Sequence, residues 1–141
     1  MARTKNSAVM VIANHLVKEG YSRSKAMVKA WILVKLPALL VKVKGVTYGN
    51  RQRAIEHLTR YTPEDIHISL ERDAGNSADR NATAVVAAVK GKGSYVMGYL
   101  PRPLAALIAP VVDRVHSRLK EIRGGYDGLY YGLVVEVGVM V

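Results

Sequence analysis

Two periodicities in this 141-residue chain predict a mostly β architecture with helices, of the α+β class. The expected form is a small closed or partly open barrel of about six strands with one lateral helix, preceded by an N-terminal helical hairpin. Residues 7–36 repeat their apolar positions every three or four residues, as one helix face does. From Leu39 onward the repeat falls to two, and the apolar runs are short and separated by Gly, Asn, Asp and Pro clusters. The content is 50% hydrophobic, enough for a packed core, and cysteine is absent. That absence excludes disulfides, thiolate metal sites and cysteine nucleophiles.

In chain order, Ser7 is placed to cap a first helix whose apolar face is Val9, Ile12, Ala13, Leu16 and Val17. Gly20 suits the left-handed position that ends it. Ser22 caps a second helix carrying Met27, Ala30, Trp31, Val34 and Leu36, and Pro37 stops it. Ile32 and Leu33 make this helix apolar almost all round, so burial on two sides is expected, with Trp31 as a core or interface anchor. Residues 39–48 read as one strand, 51–58 as a helical turn and 61–63 as a loop. Residues 66–72 alternate with Ile66, Ile68 and Leu70 on one face. Asp73-Ala-Gly-Asn-Ser-Ala-Asp79 is dense in turn formers and reads as a loop. Residues 83–89 give a third strand, and Gly91-Lys-Gly93 turns into a fourth at 95–100. Pro101 and Pro103 open a helix whose face is Leu104, Leu107, Ile108, Val111, Val112 and Val115, with Pro110 kinking or dividing it. Residues 117–122 and 129–139 are the last two strands, across a glycine-rich turn. The domain division is therefore 1–38, a basic hairpin, and 39–141, the barrel.

The charge is unevenly placed. The formal net charge is +10, and residues 1–60 carry all of it; residues 61–141 balance. Clustering of this kind suits a polyanion, because each Lys or Arg set against a phosphate releases a condensed counterion. His15, His57, His67 and His116 share no metal-ligand spacing. Arg72 and Arg80 interleave with Glu71, Asp73 and Asp79, which argues against a divalent-cation nuclease cluster. Gly91-Lys-Gly93 lacks the register of a phosphate loop. The expectation is a binding protein, not an enzyme, without cofactor or metal. No apolar run approaches the roughly 18 residues of a membrane span. The opening Met-Ala-Arg-Thr-Lys-Asn is too polar for a secretory signal, so a cytoplasmic protein is expected.

Four stretches carry a resemblance. They are Val43-Lys-Gly-Val-Thr-Tyr48, Leu70-Glu-Arg-Asp-Ala-Gly-Asn-Ser-Ala-Asp-Arg-Asn-Ala82, Gly98-Tyr-Leu-Pro-Arg102 and Leu107-Ile-Ala-Pro-Val-Val-Asp113. Together they resemble the HIRAN domain over about residues 39–141. The resemblance implies an OB-like or SH3-like barrel that binds single-stranded DNA, with a free 3′ end as ligand and DNA repair or processing as setting. It implies a pocket of Tyr48, Asn76, Asp79, Tyr99 and Arg102. Tyr48 offers a stacking face, and Asn76 a donor and an acceptor for a base edge or sugar. Asp79 accepts from a terminal hydroxyl and repels a terminal phosphate. Arg102 forks onto a phosphate. Asn76 and Asp79 also suit plain loop closure by Asx-type hydrogen bonds, Asn81 a structural loop-to-strand role and Tyr99 a core position. Two family aromatics are missing, replaced by Ala78 and Gly49. Lys42, Lys44, Arg51, Arg53 and Arg80 are expected to compensate through backbone electrostatics. A different reading is an interaction adaptor, with the apolar hairpin of residues 7–36 docking a second copy, a helicase or a nuclease. A further one is duplex or RNA binding by the basic N-terminal segment alone.

Overall fold

The computed structural model describes residues 5–36 and 38–140. Helix α1 (Lys5–Lys18) turns through Gly20, at φ +105°, into α2 (Arg23–Lys35). Ser22 caps α2 by accepting from the Lys25 amide at 3.3 Å. Ser7 lies inside α1, two residues after Lys5, and the expected stop at Pro37, like Arg3, falls outside the described residues. Helix α2 buries Ala26, Ala30, Leu33 and Val34. It is not buried on two sides, since Val28 and Ile32 are each 58% exposed. Trp31 is half-buried, with Lys35 5.3 Å above its ring.

Six strands follow among the described residues: β1 (Leu39–Lys42), β2 (Ile66–Arg72), β3 (Thr83–Val89), β4 (Ser94–Tyr99), β5 (Val115–Arg123) and β6 (Gly132–Val139). They form two antiparallel three-stranded sheets, ordered β1-β6-β5 and β2-β3-β4. After Thr83 the run Ala-Val-Val-Ala-Ala-Val of β3 is apolar because it is the central strand and is covered on both faces. Helix α3 (Arg51–Leu58) sits between β1 and β2 in the chain and α4 (Arg102–Ile108) between β4 and β5. A 3-10 turn, Ala109–Arg114, continues from α4; Pro110 removes an amide there, and Val115 already belongs to β5.

Of the two expected forms, a closed or a partly open barrel, the closed one is not formed. At one seam the sheets meet through a single bridge, Lys44 to Tyr99. At the other β2 approaches β5, where the Ser117 hydroxyl donates to the Ile68 carbonyl at 3.0 Å. Among the described residues no hydrogen-bonded ladder runs across either seam. The cause at the first is local, because the strand expected over 39–48 stops at Lys42. Gly45, at φ +73°, turns the chain away toward α3. Helix α3 then ties the seam: Gln52 donates to the carbonyls of Val46 (3.0 Å) and Tyr131 (2.9 Å) and accepts from the Tyr131 amide (2.7 Å). Helix α1 packs on α4 and its 3-10 extension. Its Val9, Ile12 and Leu16 share one apolar core with Val85, Leu133 and Val135.

Candidate nucleic-acid interface

The bridge between Lys44 and Tyr99 uses two reciprocal amide bonds of 2.8 Å. Directly opposed residues show their side chains to the same face, so Lys44 stands beside Tyr99. The bridge requires glycine at position 98, where a Cβ would lie 2.2 Å from the Lys44 carbonyl oxygen. A register slip between Val85 and Val86 decides where Tyr99 points. Tyr95 opposes Ala87 and Tyr99 opposes Ala84, an odd separation along β3. The two tyrosines therefore face opposite sides of the sheet, although a regular β4 would put them on one. The bulge turns Tyr99 away from the core and toward the α3 N-terminus.

Arg51 meets it there. Its guanidinium carbon lies 5.5 Å from the Tyr99 ring centroid and 5.9 Å from that of Tyr48, and Nη1 donates to the Gly45 carbonyl at 2.8 Å. One cation thus braces two rings. Tyr48 is 70% exposed.

The loop from Asp73 to Ala82 forms the other wall. Its ends are tied by the Asp73 amide donating to the Ala82 carbonyl at 2.8 Å. Asn76 Oδ1 accepts from the amides of Ala78 (2.9 Å) and Asp79 (3.0 Å). Asp79 Oδ1 accepts from the Asn81 amide at 2.9 Å. Asn76 and Asp79 therefore close the loop, as their Asx chemistry allows. Asp79 Oδ2 remains directed at Arg102, whose Nε is 3.6 Å away. Arg102 also donates from Nη2 to the Ala78 carbonyl at 2.8 Å. With 72% of its side chain exposed, its remaining N–H groups are open to an anion.

The wall and the platform are joined by a residue that the sequence reading did not select, Asp73. Its Oδ2 accepts from the Tyr99 hydroxyl at 2.9 Å and from Asn76 Nδ2 at 3.4 Å. The Asp73 bond, burial and the carboxylate's charge raise the Tyr99 phenol above its ordinary value of 10.0, with Arg51 opposing. The signal for Asp73 was its position at the end of β2, where the loop starts. Its partner 26 residues later left no local trace. Tyr48, Arg51, Tyr99, Asn76, Asp79 and Arg102 thus form one connected surface with Lys44 at its edge.

Two expected residues stand apart. Arg53 lies on another side of α3, exposed beside the β3–β4 hairpin. Arg80 turns to Glu19 at the end of α1, with 3.5 Å between Nε and Oε1. Asn81 completes that second cluster. It is buried, donates from Nδ2 to Glu19 at 3.1 Å, and accepts at Oδ1 from His15 Nε2 at 3.0 Å. The Asn81 bond and the charges of Arg80 and His15 hold the Glu19 carboxyl below its ordinary value against the opposing effect of burial. Asn81 is structural, and it fastens the hairpin to the start of β3. Among the described residues no group of three His, Asp or Glu side chains is placed to hold a metal ion, and no helix is long and apolar enough to cross a membrane.

No curated protein matches the chain. Among solved structures it is similar to the crystal structure of the HIRAN domain of human HLTF, with 21% identity over 72% of this chain and 76% of that one, at a TM-score of 0.41. The family model described as "HIRAN domain" matches residues 38–128. That span takes in the Tyr48 turn, α3, the Asp73 loop and the Arg102 helix, so the surface assembled above lies within it, and the chain belongs to the HIRAN domain family of nucleic-acid-binding modules.

Proposed function

We propose that this protein binds single-stranded DNA at a free 3′ end, as a non-enzymatic module serving DNA repair or processing. The observation that carries the reading is the braced platform: an exposed Tyr48 ring held from behind by Arg51, which is itself seated on Tyr99. Such a ring stacks a base without first having to be ordered. Arg102 takes a backbone phosphate, and Lys44 adds a charge at the rim. Asp79 accepts from a terminal hydroxyl and disfavours a terminal phosphate. Family membership supports nucleic acid as the ligand class.

The test is fluorescence anisotropy at about physiological salt with short strands bearing 3′-hydroxyl, 3′-phosphate or blocked ends, beside a duplex. Preference for the free hydroxyl, lost in Arg102→Ala, is expected. Equal weak binding to all ligands, indifferent to Arg102, overturns the reading. A second reading has its own observation, the exposed Val28 and Ile32 on α2 beside half-buried Trp31. On that reading the hairpin docks a protein, a second copy or a helicase or nuclease, and the chain takes no specific nucleic acid. A defined oligomer with no binding to any strand supports it.

A further inference from the structure

A second cavity, outside the Tyr48 surface, runs between α3 and the β3–β4 hairpin with a volume of about 380 Å³. Its apolar floor includes Ala54, Val89 and Met97, and Tyr95, 45% exposed, forms one wall. Arg53, His57 and Lys92 stand around it, and no carboxylate lines it. An apolar floor under a rim of cations fits a ligand that is flat and apolar at one end and anionic at the other. A bare phosphate would leave the floor unused, and a neutral ligand would leave the rim unused. A nucleotide uses both. The groove reaches Asn50, the residue before Arg51, so it begins where the braced platform ends.

We infer that this groove holds a further nucleotide of the same strand, its base on Tyr95 and the apolar floor and its phosphate between Arg53 and Lys92. The inference rests on the reading of Tyr48 as a base platform. It also gives Arg53 a place, although that residue is absent from the first surface. Helix geometry separates Arg53 from Arg51 by about 200° around the axis, so one α3 turn serves both subsites.

The experiment compares 3′-hydroxyl oligothymidylates of about three and about nine nucleotides, bracketing the lower part of the usual site sizes of single-strand binders. The proteins are the native chain, Lys92→Ala, Tyr95→Ala and Arg102→Ala. Lys92 lies in an exposed turn and Tyr95 is half-exposed, so both variants are expected to melt with the native chain. The longer strand should bind the native chain more tightly than the shorter. Tyr95→Ala should lose about tenfold on the longer strand alone, the size of one lost stacking contact. Lys92→Ala should flatten the salt dependence on that strand by about 0.7 in log–log slope. If both variants match the native chain at both lengths while Arg102→Ala binds neither strand, the groove subsite is overturned and the platform stands. If the native chain binds no strand, both are overturned.

Discussion

The Tyr99 hydroxyl donates to the Asp73 carboxylate at 2.9 Å, and this bond fastens the mouth of the 73–82 loop to the last residue of β4. The folded chain holds the phenol proton more tightly than the unfolded chain does. Its contribution to stability is therefore complete below pH 10.0 and is lost as pH rises through the higher folded value. An ultraviolet pH titration should show one late tyrosine that Asp73→Asn moves to lower pH. A profile unchanged by the substitution counts against the bond.

Glu19 works with the opposite sign. Its carboxyl is held low in the folded chain, so its contribution is present above the ordinary value of 4.5 and fades as pH falls through the lower folded value. Asn81→Ala removes the leading cause and leaves Glu19 short of a donor. Chemical denaturation at neutral pH should show a loss of about 1–3 kcal/mol, and the variant's stability should depend less on acid than the native chain's. Stability within experimental error of the native chain's would mean that the hairpin does not need this attachment.

Arg51→Lys keeps the charge and discards the planar group that lies over two rings. If the platform takes a base, single-strand affinity should fall by about 1 kcal/mol or more in this variant, with Tyr48→Ala losing about 1–3 kcal/mol. Equal affinity for Arg51→Lys and the native chain would mean that charge alone matters there.

Position 78 invites a gain. Its side chain is exposed, and Arg102 reaches this residue through its backbone carbonyl, so Ala78→Tyr leaves that contact in place. A ring beside Asp79 should add about 1 kcal/mol of base stacking, read as tighter binding of 3′-hydroxyl strands with 3′-phosphate strands little changed. Uniform tightening on every ligand would show that the ring stacks away from the terminus.

Gly98→Ala sets a Cβ 2.2 Å from the Lys44 carbonyl and 2.6 Å from Val43 Cγ1. Backbone must shift, so about 1–3 kcal/mol of stability should be lost. Single-strand affinity should fall with it, because Tyr99 and Lys44 are placed by that bridge. Native stability in thermal melts would show that the seam yields easily.

What was legible in the sequence was local. Alternation marked β2 and the continuous apolar run marked β3, the 51–58 segment marked α3, and Gly20 and Ser22 marked the hairpin turn. Val41 and Val43 also alternate, which extended β1 too far on paper. Only the tertiary bridge and the left-handed Gly45 show where the strand ends. The open seams were illegible because closure depends on which edges meet, not on strand count. The candidate site residues Tyr48, Asn76, Asp79, Tyr99 and Arg102 were named together through the family resemblance. Which of the nearby cations joins them was not legible, since Arg51 and Arg53 lie two residues apart and diverge around the helix axis. The β4 bulge, which reorients Tyr99 relative to Tyr95, carries no residue signature of its own.

Arg51 and Gln52 are consecutive, yet one grips Tyr99 at the end of the second sheet and the other grips Tyr131 beside the first. The Tyr48 platform is therefore referenced to both sheets at once, through a single helical turn. Its rings and guanidinium are set when the chain folds, and the entropy of ordering them is met then. An open seam would ordinarily let two sheets breathe against each other. Here Arg51 and Gln52 act as the keystone across the gap, so the least closed part of the fold is also where the candidate surface is tied to both sheets.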